Sequence, residues 1–327
     1  MIISFEELKG QLKKILLKHG FAEERAEICA GVFAGNSRDG VHSHGAHRFP
    51  TFIEYVDKGL IHVNAEPTIL STHGCVENWD GQLAPGVYLA TRAIDRAIEF
   101  ALQHGMGLVA IRNSNHWMRG GTYGWRAAEK GCIAICGTNS IANMPPYQGT
   151  EPTLGNNPLV IAVPRNEGHI VIDMAMSQFS YGKLNEYKLK KSQLPVAGGY
   201  DKEGNLTKDP DAIIRSQRTL PVGHWKGSGL SMMIDLLVSV LSGGRSVGDI
   251  TRQGSETGVS QFFICIHPQN AHERIVENII AYTKSSAVAS ENMSIRYPGE
   301  QTLNHRQRSL EKGIEVNDEI WNKIKSL

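Results

Sequence analysis

The segment VHSHGAHR (Val41 to Arg48) gathers three histidines and an arginine on a short polar connection opening from Gly40. An imidazole titrates near neutrality, so a histidine on such a loop can pass a proton to or from a substrate oxygen. His44, between Ser43 and Gly45, is the candidate acid/base. Arg48, four residues on, can hold a carboxylate through two parallel hydrogen bonds. A proton donor beside a carboxylate clamp suits a 2-oxo or 2-hydroxy acid. The plain alternative is a surface loop whose histidines only cap and solvate. The same residues spell H-x-H-x-x-H, so His42, His44 and His47 could also serve a non-redox metal- or sugar-binding protein, with Asp39 as an extra zinc ligand. No C-x-x-C or H-E-x-x-H accompanies them, and the expectation is that no metal is held.

A second cluster, RNSNHWMRGGTYGW (Arg112 to Trp125), follows the apolar run GLVAI and precedes a helical pattern. Strand-to-helix turns of this kind are common ligand sites. Asn113, Asn115 and His116 can donate and accept there, and Gly120 and Gly121 could admit a ligand close to the backbone; turn geometry alone would also explain these residues. A third cluster, GHWKGSGLSM (Gly223 to Met232), places Lys226, Gly227 and Gly229 at a helix start where a phosphate could sit. Met232 stands where a dinucleotide fingerprint needs its third glycine, and a simple helix start reads equally well. No P-loop, G-x-S-x-G or kinase signature occurs.

The elements around these clusters change character along the chain. Ser4 and Glu7 predict a capped helix running toward Gly20; a second helix is expected over Glu23 to Ala34, and a third from Pro50 to about Gly59. Strands are expected at THGCVENWD, GLVAIRN, CIAICGTN, LVIAVP, HIVIDM and SQFFICI. Helices interleave them from Pro85 to Gln103, Thr122 to Lys130 and Ser228 to Leu241. Leu189 to Asp211 reads as one long irregular stretch, and helices dominate from Asn270 onward. The simplest architecture is mixed α/β (α+β): a helical domain from residues 1–72 together with 268–327, around an α/β domain over 73–267.

The chain has 327 residues, of which 41% are hydrophobic and 20% charged, so it folds as a globule rather than staying disordered. Its 34 basic against 33 acidic side chains leave a formal charge of +1, which offers no basic footprint for nucleic acid or an acidic membrane. Five cysteines without C-x-x-C spacing outline no disulfide framework, and Cys132 and Cys136 fall in an apolar run that predicts burial. The start lacks a basic region followed by an apolar stretch, and LSMMIDLLVSVL is too short to span a bilayer. A soluble, cytoplasmic protein is expected.

Taken in order, GVHSHGAHRFP, RNSNHWMRGGTYGW, GTNSIANMPP, GNNPLVIAVP, IDMAMSQFSYGKL, LPVGHWKGSGLSMMIDLL and YPGE resemble the malate/L-lactate dehydrogenase type 2 family. The resemblance covers essentially the whole chain, and NHWMRGG and HWKGSG are similar to the branch that reduces diketo sugar acids. It implies an NAD(P)-dependent oxidoreductase acting on CH–OH, without a Rossmann fold, whose cofactor domain rests on a largely antiparallel sheet. It implies a homodimer, with His44 as proton donor. The cofactor contacts it implies are His169, Ile170, Val171, Ile172, Asp173, Met174, Ala175, Trp225, Lys226, Gly299, Glu300 and Gln301. Arg48, Asn115 and His116 are then the substrate contacts. NADH is expected over NADPH, because Asp173 would repel a 2′-phosphate. The reaction implied is reduction of the C2 ketone of 2,3-diketo-L-gulonate, the alternatives being another 2-oxo acid of malate or lactate type or a cyclic imino acid.

Overall fold

Ser4 Oγ accepts the Glu7 N–H at 3.1 Å and opens the first helix, which buries Leu8, Leu12, Ile15 and Leu16 at helical spacing. The computed structural model describes residues 1–270 and 273–327. In chain order, β1 (Ile2–Ile3), α1 (Phe5–Lys18), α2 (Glu23–Arg38) and α3 (Phe49–Asp57) come first. Next are β2 (Thr68–His73), β3 (Val76–Asp80), α4 (Gly86–His104), β4 (Met106–Asn115), α5 (Gly121–Ala128), β5 (Ile133–Thr138), β6 (Leu159–Val163) and β7 (Ile170–Met174). Then follow α6 (Tyr181–Leu189), β8 (Gly199–Tyr200), β9 (Leu206–Thr207), α7 (Pro210–Ser216), α8 (Trp225–Ser242), α9 (Val247–Gln253) and β10 (Thr257–Ile266). The last elements are α10 (Glu273–Lys284), α11 (Glu300–Lys312), β11 (Ile314–Glu315) and α12 (Asp318–Lys325).

Seven strands form one sheet in the order β2-β3-β4-β10-β5-β6-β7. Only β3 and β4 run parallel, because α4 crosses over between them; every other neighbouring pair is antiparallel. The long central strand β10 shows why both faces must be covered. Phe263 belongs to the core shared with α4 and α5, while Phe262 packs with Ile234 and Val238 of α8 on the other face. The main core is continuous: it runs from Leu12 and Phe33 in the first helices through Ile94 and Val109 to Ile314 and Trp321. Ile3 pairs with Ile314 in a two-stranded ladder that joins the two ends of the chain.

Several boundaries differ from the sequence reading for local reasons. THGCVENWD contains the turn of a hairpin rather than a single strand, since Gly74 takes φ +59° between β2 and β3. α2 runs four residues past Ala34, and α8 starts three residues before Ser228. The stretch from Leu189 to Asp211 is not wholly irregular; Gly199–Tyr200 pairs with Leu206–Thr207, and α7 begins at Pro210 behind the cap Asp209. Cys132 and Cys136 are buried at and within β5. No single helix among the described residues is long and apolar enough to cross a membrane.

Candidate active site

Gly45 lets the histidine loop fold back onto α2. A Cβ at this position would stand 2.2 Å from Ser37 Oγ and 2.8 Å from Ser37 N. Ala46 N–H donates to Ser37 Oγ at 2.8 Å, Asn36 Nδ2 donates to the His44 carbonyl at 2.9 Å, and Thr122 Oγ1 donates to Asn36 Oδ1 at 2.6 Å. The end of α2 and the start of α5 thereby hold a 3-10 turn over His42–His44.

This turn stacks the His44 ring on His116, with centroids 5.7 Å apart and planes 18° apart. Ser43 Oγ lies 3.1 Å from His44 Nδ1. Met118 N–H donates to His116 Nδ1 at 2.9 Å, so neutral His116 carries its proton on Nε2. Burial lowers the pKa of both rings to about 3; the neighbouring His116, Arg48 and Arg119 add to the effect at His44, and Arg48 adds to it at His116. Both imidazoles are therefore neutral at pH 7 in the protein without substrate.

Arg48, Asn115 and His116 line one pocket together with Tyr55 and Glu256. Arg48 stands at the N-cap of α3, and its side chain makes no hydrogen bond or ion pair among the described residues. Asn115 is 3% exposed; its Nδ2 donates to the carbonyls of Leu83 at 2.8 Å and Ala84 at 3.1 Å, and its Oδ1 has no partner among the described residues. The Asn115 backbone is fixed as well, because a Cβ on Gly86 would meet its carbonyl at 2.0 Å. Glu256, just before β10, accepts among the described residues only the Ile141 N–H at 3.4 Å. Burial pushes its carboxyl up, while the Arg48 charge and the Ile141 amide pull it back. The sequence reading missed Glu256, since it lies far along the chain from the histidine loop and only the β4–β10 pairing brings it in.

The structure divides the histidine triplet. His42 and His47 lie side by side with centroids 5.6 Å apart, whereas His44 faces His116. Among the described residues no three His, Cys, Asp or Glu side chains gather as metal ligands. Asp39, weighed above as a zinc ligand, is buried against Arg119 at 2.8 Å, Arg306 at 2.8 Å and Arg38 at 3.0 Å. Burial opposes its charge, but the Arg306 hydrogen bond and the three guanidinium charges win and lower its pKa. Gly120 and Gly121 serve close packing: a Cβ on the first would strike Val160 and Trp117, and one on the second Asp173. Gly227 passes under the Val222 carbonyl, where a Cβ would come within 2.3 Å, while Gly229 faces open space. The G-x-G is thus explained at one position by packing.

The expected cofactor residues lie along β7, an edge strand. Pro298 carbonyl accepts the Val171 N–H at 3.0 Å, which brings Gly299, Glu300 and Gln301 beside His169 and Ile170 at the start of that strand. Gly299 has φ +96°, and a Cβ there would meet His169 O and Val171 N at 3.0 Å. Past Ile172, Met174 and Ala175 at the other end, Val222 N–H donates to the Met176 carbonyl at 2.8 Å, which draws Trp225 and Lys226 toward that end. Between the two ends, Asp173 Oδ2 accepts the Gly121 N–H at 2.7 Å. The Asp173 carboxyl stays open to solvent, yet protein walls it closely enough that lost solvation raises its pKa against the pull of Arg119 and the Gly121 amide. Trp125 Nε1 is buried with no partner among the described residues, its ring against His169 at 5.4 Å. The expected cofactor residues thus gather along one edge strand, where the exposed Asp173 could accept hydrogen bonds from a nicotinamide dinucleotide, while Gly299 is explained by packing against His169 and Val171.

A family model for malate/L-lactate dehydrogenase matches residues 3–325. A 2,3-diketo-L-gulonate reductase of Citrobacter koseri is 46% identical over the whole of both chains. Among solved structures, malate dehydrogenase from Entamoeba histolytica superposes with a TM-score of 0.95 at 27% identity, covering 100% of this chain and 96% of that one. Sulfolactate dehydrogenase from Methanocaldococcus jannaschii does so with a TM-score of 0.88 at 30% identity, covering 100% and 96%. With a match from residue 3 to 325 and a relative so similar end to end, the chain belongs to the malate/L-lactate dehydrogenase family, whose members are nicotinamide-dependent oxidoreductases.

Proposed function

We propose that this protein reduces the C2 ketone of 2,3-diketo-L-gulonate to the alcohol of 3-keto-L-gulonate with NADH. The observation that carries this reading is the unpaired Arg48 guanidinium in a pocket walled by His116, on which His44 stacks. The curated relative of that name, 46% identical throughout, supports the choice of substrate.

Arg48 takes the substrate carboxylate through two parallel hydrogen bonds and so selects which ketone faces the hydride. His116 presents its Nε2 proton to the carbonyl oxygen. Bound nicotinamide supplies the hydride to carbon, and His44 supplies the proton to oxygen. A neutral imidazole is a poor acid, so His44 must first be protonated. The incoming carboxylate neutralises Arg48, one cause of the low His44 pKa, and negative charge developing on oxygen raises it further. Asp173 holds a ribose hydroxyl and disfavours a 2′-phosphate, which supports NADH over NADPH. The mostly antiparallel sheet supports a cofactor groove unlike the Rossmann crevice, between a helical unit of residues 1–72 with 268–327 and an α/β unit of 73–267.

Trp225, Met233, Leu236, Leu237 and Val240 leave an apolar face of α8 exposed. Monomers rarely expose such a stripe, and it supports a homodimer. The five cysteines are unpaired thiols, the state a reducing compartment maintains, which supports a cytoplasmic enzyme.

The test is loss of reduced-nicotinamide absorbance with 2,3-diketo-L-gulonate beside pyruvate, oxaloacetate and a cyclic imino acid, with NADH and NADPH in parallel. Oxidation of NADH with the diketo acid alone is the expected result. Activity confined to another acid would remove the substrate and leave His44 and Arg48 in place.

A further inference from the structure

Substrate carboxylate and ketone oxygens need hydrogen-bond donors, and Arg48 and His116 supply them. Two residues that line the same pocket carry acceptors that this chemistry leaves unused. One is Asn115 Oδ1, buried and without a partner. The other is the Glu256 carboxylate, whose hydrogen bond from Ile141 N is long at 3.4 Å. Among the described residues Asn115 Oδ1 has no partner and the half-buried Glu256 carboxylate has one long hydrogen bond, so both keep capacity to accept hydrogen bonds from a ligand.

Glu256 is held in place by its backbone. Thr257 N–H donates to the Ser255 carbonyl at 2.9 Å, making Glu256 the central residue of a three-residue turn. Gln253 Nε2 pins both flanks, donating to Ser255 Oγ at 3.1 Å and to the Thr257 carbonyl at 3.3 Å. Glu256 and Arg48 both line the pocket, yet no ion pair joins them. The pocket therefore offers one positive and one negative group to the same small molecule.

Resting on the 2-oxo acid reading above, we propose that Glu256, with Asn115 Oδ1, is the specificity-determining pair that accepts hydrogen bonds from hydroxyl groups at the end of the substrate remote from its carboxylate. The same carboxylate excludes dicarboxylic 2-oxo acids. An acid with one carboxylate and several hydroxyls satisfies every group in the pocket. A 2-oxo dicarboxylate of similar length sets its second carboxylate against Glu256, where like charges in a poorly solvated site repel strongly. A short acid such as pyruvate reaches neither acceptor.

The experiment compares kcat and KM of the full-length wild type, Glu256→Ala and Glu256→Gln with NADH against 2,3-diketo-L-gulonate, oxaloacetate and pyruvate. NADH binding by fluorescence and the melting temperature check that the variants remain folded. Glu256→Ala is expected to raise KM for the diketo acid about ten- to a hundredfold, with kcat within a few-fold and pyruvate kinetics unchanged. Glu256→Gln is expected to raise kcat/KM for oxaloacetate relative to the diketo acid by about tenfold or more. Equal losses on pyruvate and the diketo acid, or an unchanged ratio in both variants, would overturn the assignment while leaving the reductase reading intact. A wild type that reduces none of the three would remove the reductase reading and this inference with it.

Discussion

His44 and His116, 72 positions apart in the chain, lie ring on ring with planes 18° apart and centroids separated by 5.7 Å. Two imidazoles at that distance cannot both be charged at low cost. Because Met118 N–H occupies His116 Nδ1, His116 stays the neutral member. In the proposed mechanism this arrangement gives the added proton to His44 and leaves His116 as hydrogen-bond donor.

Replacing His44 by Ala removes the proposed proton donor and leaves the β7 residues untouched. Turnover is expected to fall about a hundred- to ten-thousand-fold, with NADH affinity by fluorescence titration changed less than about threefold. A variant retaining normal kcat would remove His44 from the chemistry.

Stability depends on pH with a definite sign. His44 and His116 have pKa values lowered to about 3 in the folded protein, against an ordinary value of 6.5. Below pH 6.5 the unfolded chain takes up protons that the native state refuses, so stability is fully present above that pH and is lost as pH falls toward 3. Each ring contributes at most about 1.4 kcal/mol per pH unit in this window. Urea midpoints at pH 7.5, 6 and 5 are expected to decline, and His116→Asn should flatten the decline; an unchanged slope would show that burial does not hold the ring neutral.

Asp39 is the counter-charge of Arg38, Arg119 and Arg306. Asp39→Asn leaves three guanidinium groups crowded beneath the site and is expected to destabilise the fold by about 3–5 kcal/mol, read from denaturant unfolding. A loss under about 1 kcal/mol would mean that solvent already screens the cluster.

The two glycines opening α8 separate packing from ligand binding. Gly227→Ala drives a Cβ into the Val222 carbonyl, whereas Gly229→Ala meets nothing within 4 Å. The first is expected to lower stability by about 1–3 kcal/mol, and the second to be neutral or slightly stabilising by thermal melting. Loss of NADH binding in a well-folded Gly229→Ala protein would instead favour a phosphate contact there.

Local signals were legible where one residue type has one local use. Ser4 reads as a cap and GLVAI and CIAIC as strands, because spacing and composition suffice for each. Signals that depend on distant partners were not. THGCVENWD carries a run of strand formers whose turn depends on Gly74 adopting a positive φ. Asp39 sits next to a glycine and near three histidines, which suggested a ligand, but its partners Arg119 and Arg306 come from remote parts of the chain. Gly120 and Gly121 looked open to a ligand until Trp117, Val160 and Asp173 were placed against them. Glu256 carries no motif, and its relation to Arg48 exists only once β10 lies beside β4.

The bond between Asp39 and Arg306 spans 267 positions. During synthesis at about 5–20 residues per second, tens of seconds separate the two ends of that contact. Throughout that interval the Asp39 carboxylate at the end of α2 lacks one of its counter-charges. The pocket lining is itself complete only once Glu256 has been made, so a nascent chain halted before β10 carries Arg48 and His116 without the wall that the β4–β10 pairing brings beside them.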